Sequence, residues 1–175
     1  IRYTSLMISG DMKWYVLAET LRQALHADLT LKPDRSGVVP GAIAWDECDC
    51  GLLAVSYAQI YPSETFPDLI LNPAGNCDAS VEVIELVIQL IRCAPNPGTD
   101  LSGNDLAPSV AALDASAQEA LRDAYELIQS VRETLCQMQE NRDILEYLLR
   151  PLTPQGPSGG CVGNELRVFV GLLRG

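Results

Sequence analysis

The chain is expected to fold as one α+β domain, a small antiparallel or mixed sheet flanked by helices. Three observations lead there. Leu17, Leu21, Ala24 and Leu25 follow helical spacing near the start, and a longer run from Ala117 to Met138 repeats it. The runs LLAVSYAQIY (Leu52 to Tyr61) and ELRVFVGLL (Glu165 to Leu173) are rich in β-branched and aromatic residues, as strands are. The order helix, strands, helix, helix, strands groups the elements instead of alternating them, which is the α+β arrangement.

Size and composition agree with a single core. The chain has 175 residues, of which 47% are hydrophobic and 20% charged, a globular balance. The longest apolar stretch is interrupted by Glu82, Glu85 and Gln89, too early for a membrane span, and no membrane partner is expected. Residues Ile1 to Met12 lack the basic start, apolar centre and small-residue cleavage site of a leader. The net charge of −11 excludes gripping nucleic acid by neutralising its phosphates, which needs clustered lysine and arginine. An acidic wall beside DNA is compatible with that charge, because repulsion prevents sticking.

Residues 1–13 show no period and are read as an N-terminal arm, with the single domain covering 14–175. A helix runs from Trp14 to about Leu29, and Pro33 stops it. Val38-Val39-Pro40-Gly41 reads as a short strand ending in a turn, and Pro62-Ser63 ends the strand from Leu52. Pro67, Pro73 and Gly75 make Glu64 to Asn76 a surface loop. Val81 to Arg92 is expected to be a second helix, capped by Asp78 or Ser80. Its polar residues Glu82, Glu85, Gln89 and Arg92 fall at i, i+3, i+7 and i+10, one narrow stripe on an otherwise apolar surface. Such a helix must be nearly surrounded, by its own domain or by a neighbouring subunit.

Pro95, Pro97, Gly98, Gly103 and Pro108 mark a loop too punctuated for a regular element. Ser116-Ala-Gln-Glu119 matches a capping box and opens the long helix. Ile144 to Leu149 either extends that helix or begins a strand. Pro154, Gly156, Pro157, Gly159 and Gly160 then suit an irregular hairpin connection into the last strand.

No catalytic constellation can be assembled, and neither an enzyme nor a bound cofactor is expected. His26, the sole histidine, sits among Leu25, Ala27 and Leu29 and reads as a half-buried helical residue. The glycine-rich run 156–163 lacks the lysine and order of a phosphate loop, and a strand follows it, so its glycines are assigned to positive φ or close backbone approach. Of the six cysteines, Cys93 and Cys136 fall in apolar helical patterns and are expected to be buried thiols. Free core or corner thiols are expected for the set as a whole, with one or more disulfides as an alternative. Cys48 and Cys50 form a C-x-C pair in WDECDCG and Cys161 lies in PQGPSGGCVG; both segments read as structural corners. No metal site is expected; the alternative is a four-thiolate set of Cys48, Cys50, Cys77 and Cys161. A metal-binding or redox cysteine module is accordingly the competing function class.

Three segments together resemble small neck proteins of long-tailed actinobacterial (mycobacteriophage-like) phages. They are VVPG, WDECDCG and YPS with FP (Val38 to Pro67), a helix starting at Cys77 and ending in IRCAPNP (Ile91 to Pro97), and GPSGGCVGNELRVFVGL (Gly156 to Leu172) following a long helix with Cys136. The resemblance implies a tail terminator, or a related adaptor or stopper, that assembles as a hexameric ring in the host cytoplasm and resides at the head–tail junction of the virion. Its partners would be itself, the tail-tube protein, the head connector or stopper, and genome DNA passing through without specific binding. Asp46, Glu47, Asp49, Glu64 and Asp68 are then the candidates for the lumen or ring surfaces.

Overall fold

The computed structural model describes residues 12–41, 43, 51–69, 81–95, 97–99, 102–103 and 105–173. Two helices and a six-stranded mixed sheet form the α+β fold expected from the sequence. Helix α1 (Lys13–Asp28) buries Leu17, Leu21 and Leu25, the stripe its spacing foretold. Leu29 leaves the helix in an extended conformation, and Lys32 Nζ donates to the carbonyls of Ala27 at 2.6 Å and Leu29 at 3.0 Å, satisfying acceptors the last turn leaves open.

Strands β1 (Arg35–Val38), β2 (Leu52–Ser63) and β3 (Val81–Cys93) stand side by side, β1 parallel and β3 antiparallel to β2. Two short strands, β4 (Gly98–Thr99) and β5 (Asp105–Leu106), pair as a separate hairpin within the stretch expected to be irregular. Helix α2 (Val110–Glu140) follows, and then β6 (Glu146–Leu149), β7 (Thr153–Ser158) and β8 (Cys161–Leu173). The sheet order is β1-β2-β3-β8-β6, with β7 also on β8, so β3 and β8 are central.

The Val81 to Arg92 segment is therefore a strand, which corrects the helix expected there. Val81, Val83, Ile84, Val87, Ile88 and Ile91 are β-branched, and paired strands on both sides supply the contacts such side chains favour. A strand buried on both faces is apolar nearly throughout, so it imitates a buried helix. The apparent polar stripe divides between the faces. Glu82 and Arg92 end the row of Ile84, Leu86, Ile88 and Leu90, where Lys13 Nζ meets Glu82 Oε2 at 2.6 Å and Arg92 Nε meets Asp123 Oδ2 at 2.8 Å. Glu85 and Gln89 alternate with Val83 and Val87 on the other face. A surplus of apolar helical surface, which had pointed to subunit contacts, does not exist in this segment.

Both helices pack on one face of the sheet. Leu17, Leu21 and Leu25 of α1 and Leu127, Val131 and Leu135 of α2 meet Leu53, Val55, Ile88, Leu90, Val168 and Val170 in one core. Glu126 accepts from Thr30 N at 2.9 Å and Thr30 Oγ1 at 2.6 Å, and Ser130 Oγ donates to Asp28 at 2.7 Å, which ties the end of α1 to α2. The helix cap is Ser109, whose Oγ accepts from Ala112 N at 3.2 Å; Ser116 lies inside the helix and caps nothing.

In the β7–β8 hairpin, Gly156, Gly159 and Gly160 have φ of 87°, 57° and 76°, the positive values expected of that run. Gly163 has the other expected role. A Cβ there would collide with the Leu90 carbonyl of β3, so only glycine allows β8 to lie this close.

Candidate interaction surfaces

Three features outside the main core have distinctive chemistry. The first is the sheet face away from the helices. Gln59 Nε2 donates to Glu85 Oε2 at 2.9 Å, Arg167 Nη1 reaches Glu85 Oε1 at 3.2 Å, Arg167 Nε reaches Glu165 Oε1 at 2.8 Å, and Gln89 Nε2 donates to Glu165 Oε2 at 2.9 Å. Hydrogen bonding to Glu165 is the main reason the Arg167 guanidinium is held further above its ordinary pKa, with Glu85 adding to it. Both oxygens of each carboxylate are engaged, so this row joins three strands by charge-assisted hydrogen bonds.

Beside it, Tyr61, Val83 and Phe169 form a second small core with Phe66 and Val81. Tyr61 Oη donates to Pro67 O and Ser63 Oγ to Asp68 O, at 2.6 and 2.8 Å, which folds the loop after β2 over this end of the face. Burial raises the Tyr61 pKa, and the negative charges of Glu85 and Asp68 add to the rise. Arg150 stacks over the Phe169 ring at 5.2 Å.

The second feature is the N-terminal part of α2. No side chain of the helix before Asp123 is buried. At a rise of about 1.5 Å per residue, roughly 20 Å of helix precedes that point. Val110, Leu113, Leu121 and Tyr125 are 83, 50, 72 and 67% exposed and, with Ala117, follow helical spacing along one side. They form a convex apolar stripe.

The third is a concave apolar groove of about 420 Å³ between α1 and the outer edge of β2, lined by Met12, Trp14, Tyr15, Val39, Tyr57 and Ile60. β1 pairs only with Leu52 to Val55, and Val39 N donates to Val55 O at 2.9 Å. From Ser56 onward this edge of β2 has no strand partner among the described residues. A shift of register between Tyr57 and Gln59 bends it there.

The sequence-chosen candidates lie elsewhere or outside the described residues. Glu64 and Asp68 are exposed on the loop after β2. Asp46, Glu47 and Asp49 lie outside the described residues, as do Cys48, Cys50 and Cys77. His26 is half-buried; its Nε2 is 3.1 Å from Pro33 O, an acceptor, which places the proton on that nitrogen.

Cys93 and Cys136 are exposed thiols, which corrects the expectation that both are buried. Cys161 is fully buried and disulfide-bonded, which corrects the expectation of a free corner thiol there, and a sulfur so bonded is not a thiolate and is withdrawn from the four-cysteine metal set. Among the described residues no group of three or more His, Cys, Asp or Glu side chains could hold a metal ion. No described helix is long and apolar enough to cross a membrane.

The polar row and the stripe were missed for different reasons. Glu85 with Gln89, and Glu165 with Arg167, share a face only once both segments are read as strands. Leu113, Leu121 and Tyr125 fit a core stripe equally well, and sequence spacing does not say where the sheet stops covering the helix. No family model and no curated protein matches this chain.

Proposed function

We propose that the chain is a structural subunit of a phage neck, forming a ring, hexameric by resemblance, that terminates the tail tube and joins it to the head connector. The observation that carries the assembly is the exposed apolar stripe of α2, Val110 to Tyr125. A contiguous apolar strip of this kind on a soluble domain marks an interaction surface. The chain also presents a different, concave apolar surface beside α1. Two unlike surfaces on one chain are what a head-to-tail contact requires, and such contacts close into rings when the rotation permits. In the proposed ring the α2 stripe of one subunit seats in the α1–β2 groove of the next.

The sequence resemblance supplies the neck assignment, and the α+β fold is the one it implied. Net charge of −11 suits a lumen through which a duplex passes without being held. Glu64 and Asp68, exposed on one loop, remain candidates for that wall, together with Asp46, Glu47 and Asp49. The polar row of Glu85, Arg167 and Glu165 is assigned a structural role, since its hydrogen bonds tie β3 to β2 and to β8.

Antibody raised against the chain and coupled to gold should label the junction between head and tail in electron micrographs of the virions. Label confined to tail fibres or capsid faces, or absent from virions, overturns the neck assignment. Adaptor and stopper subunits occupy the same junction. Direct binding to purified tail-tube protein, without the connector, separates a terminator from both.

A further inference from the structure

Asn164 lies in the row of β8 that carries the core residues Leu166 and Val168, and it is 4% exposed. Its Nδ2 donates to Ala120 O of α2 at 2.8 Å. A carbonyl takes only a donor, so this bond fixes which end of the amide is nitrogen and leaves Oδ1 as a separate acceptor. Among the described residues nothing donates to Oδ1, and no unpartnered side-chain oxygen is sealed from solvent. Oδ1 therefore opens onto the cavity that Asn164 lines, about 330 Å³ between the N-terminal half of α2 and the adjoining ends of β3 and β8.

Ser116 and Glu119, one turn apart on α2, line the same cavity. The Ser116 hydroxyl has no hydrogen-bond partner among the described residues. Charge in the cavity does not balance. Arg92 is matched by Asp123, which accepts from Nε at 2.8 Å and Nη2 at 3.0 Å. Glu119 Oε1 comes within 3.3 Å of the same Nε, whose single hydrogen already goes to Asp123. Two carboxylates thus share one guanidinium, and one negative charge is left over. Pro95, Ala112, Ala115 and Val162 make the rest of the wall apolar. Glu119 and Ala115 lie on the opposite side of α2 from Leu121 and Tyr125, so the cavity is separate from the exposed stripe.

We infer that this cavity binds a primary ammonium carried on a short alkyl chain, with Glu119 as counter-charge and Asn164 Oδ1 and Ser116 Oγ as the other acceptors. An ammonium has three donors and no acceptor, which matches three acceptors facing one space. An anion meets the surplus negative charge there and is repelled. The alkyl chain lies along the apolar wall, as the stem of a lysine does on a protein surface. The volume is at the small end for ligand sites and suits one such chain. The group arrives as a free alkylamine or as the lysine side chain of a partner protein. This inference is independent of the neck assignment.

The test is ligand-observed NMR titration of the full chain with n-butylamine, and with n-butyrate and n-butanol as same-length controls. Butylamine should bind with Kd on the order of 1–10 mM, as expected of a small cation held by few contacts, and tighter than either control. Glu119→Gln should weaken it about tenfold through loss of the charge-assisted bond. Ala115→Phe places a ring in the cavity from an exposed helix position and should abolish binding, with the circular dichroism spectrum of the parent. Asp114→Asn, on the far side of α2, removes the same charge and should leave binding unchanged. N-acetyl-lysine methylamide carries the same butylammonium on a peptide backbone. Tighter binding than butylamine assigns the site to a partner's lysine, and weaker binding assigns it to a free amine. The inference is overturned by butyrate binding as well as butylamine, or by a parent Kd beyond about 50 mM. Binding that survives Glu119→Gln and Ala115→Phe, or falls equally in Asp114→Asn, is diffuse attraction to an acidic surface and overturns it too.

Discussion

Replacing Asp123 with alanine should lower the unfolding free energy by about 3 kcal/mol, the cost of leaving a buried charge without its partner. Asp123 and Arg92 are 2 and 12% exposed, and the guanidinium makes two bonds to the carboxylate, at 2.8 and 3.0 Å. The same Arg92 donates to Leu31 O at 2.6 Å, so one side chain fastens β3, α2 and the turn after α1. Glu119, 3.3 Å from Arg92, stays as a weaker partner in the variant and keeps the loss near the low end of the range. Asp123→Asn preserves shape but surrenders charge and one acceptor, and should cost about 1–2 kcal/mol. Pairing Asp123→Leu with Arg92→Met removes both charges and should recover much of the loss. Urea unfolding reads all three as shifts in midpoint at constant slope. A loss below about 0.5 kcal/mol for Asp123→Ala, the size of an ordinary surface change, would show that the pair does not fasten α2.

The double substitution Leu121→Asp with Tyr125→Asp should turn a ring into monomers while leaving the fold intact. These side chains are 72 and 67% exposed in the single chain, so the monomer loses little by their replacement. At a packed interface, central apolar and aromatic anchors contribute about 2 kcal/mol or more each. Losing two costs roughly 4 kcal/mol per contact, close to a thousandfold in affinity. Sedimentation should show one chain per particle, with a circular dichroism spectrum and urea midpoint matching the parent. An unchanged particle mass would place the subunit contact away from α2.

What the sequence discloses here depends on how many faces of each element are buried. Helix α1 and the longer α2 have one covered side, so their periods survive in the residues, and β2 and β8 carry enough β-branched and aromatic positions to be read as strands. β3 is covered on both faces. Alternation is erased there, and Glu82, Glu85, Gln89 and Arg92 fall into a helical spacing although they face opposite sides of a sheet. That one misreading also placed Cys93 in a helix. The exposure of Cys136 has a different cause, since thiol and thioether positions on α2 look alike in sequence but only Met138 turns inward. The capping match at Ser116 was local and valid as a pattern. The alanine-rich residues before it, Ala111, Ala112 and Ala115, are strong helix formers and carry the helix back to Ser109. The interaction surfaces were illegible for a deeper reason, because exposure of Leu113, Leu121 and Tyr125 follows from where the sheet ends and no local signal encodes it.

Ring formation is the central claim, and the mass of the particle in solution addresses it most directly. Mass photometry of the purified chain, alone and mixed with tail-tube protein, should give a closed assembly of six 19.0 kDa subunits in at least one of the two samples. A single 19.0 kDa species in both would contradict it.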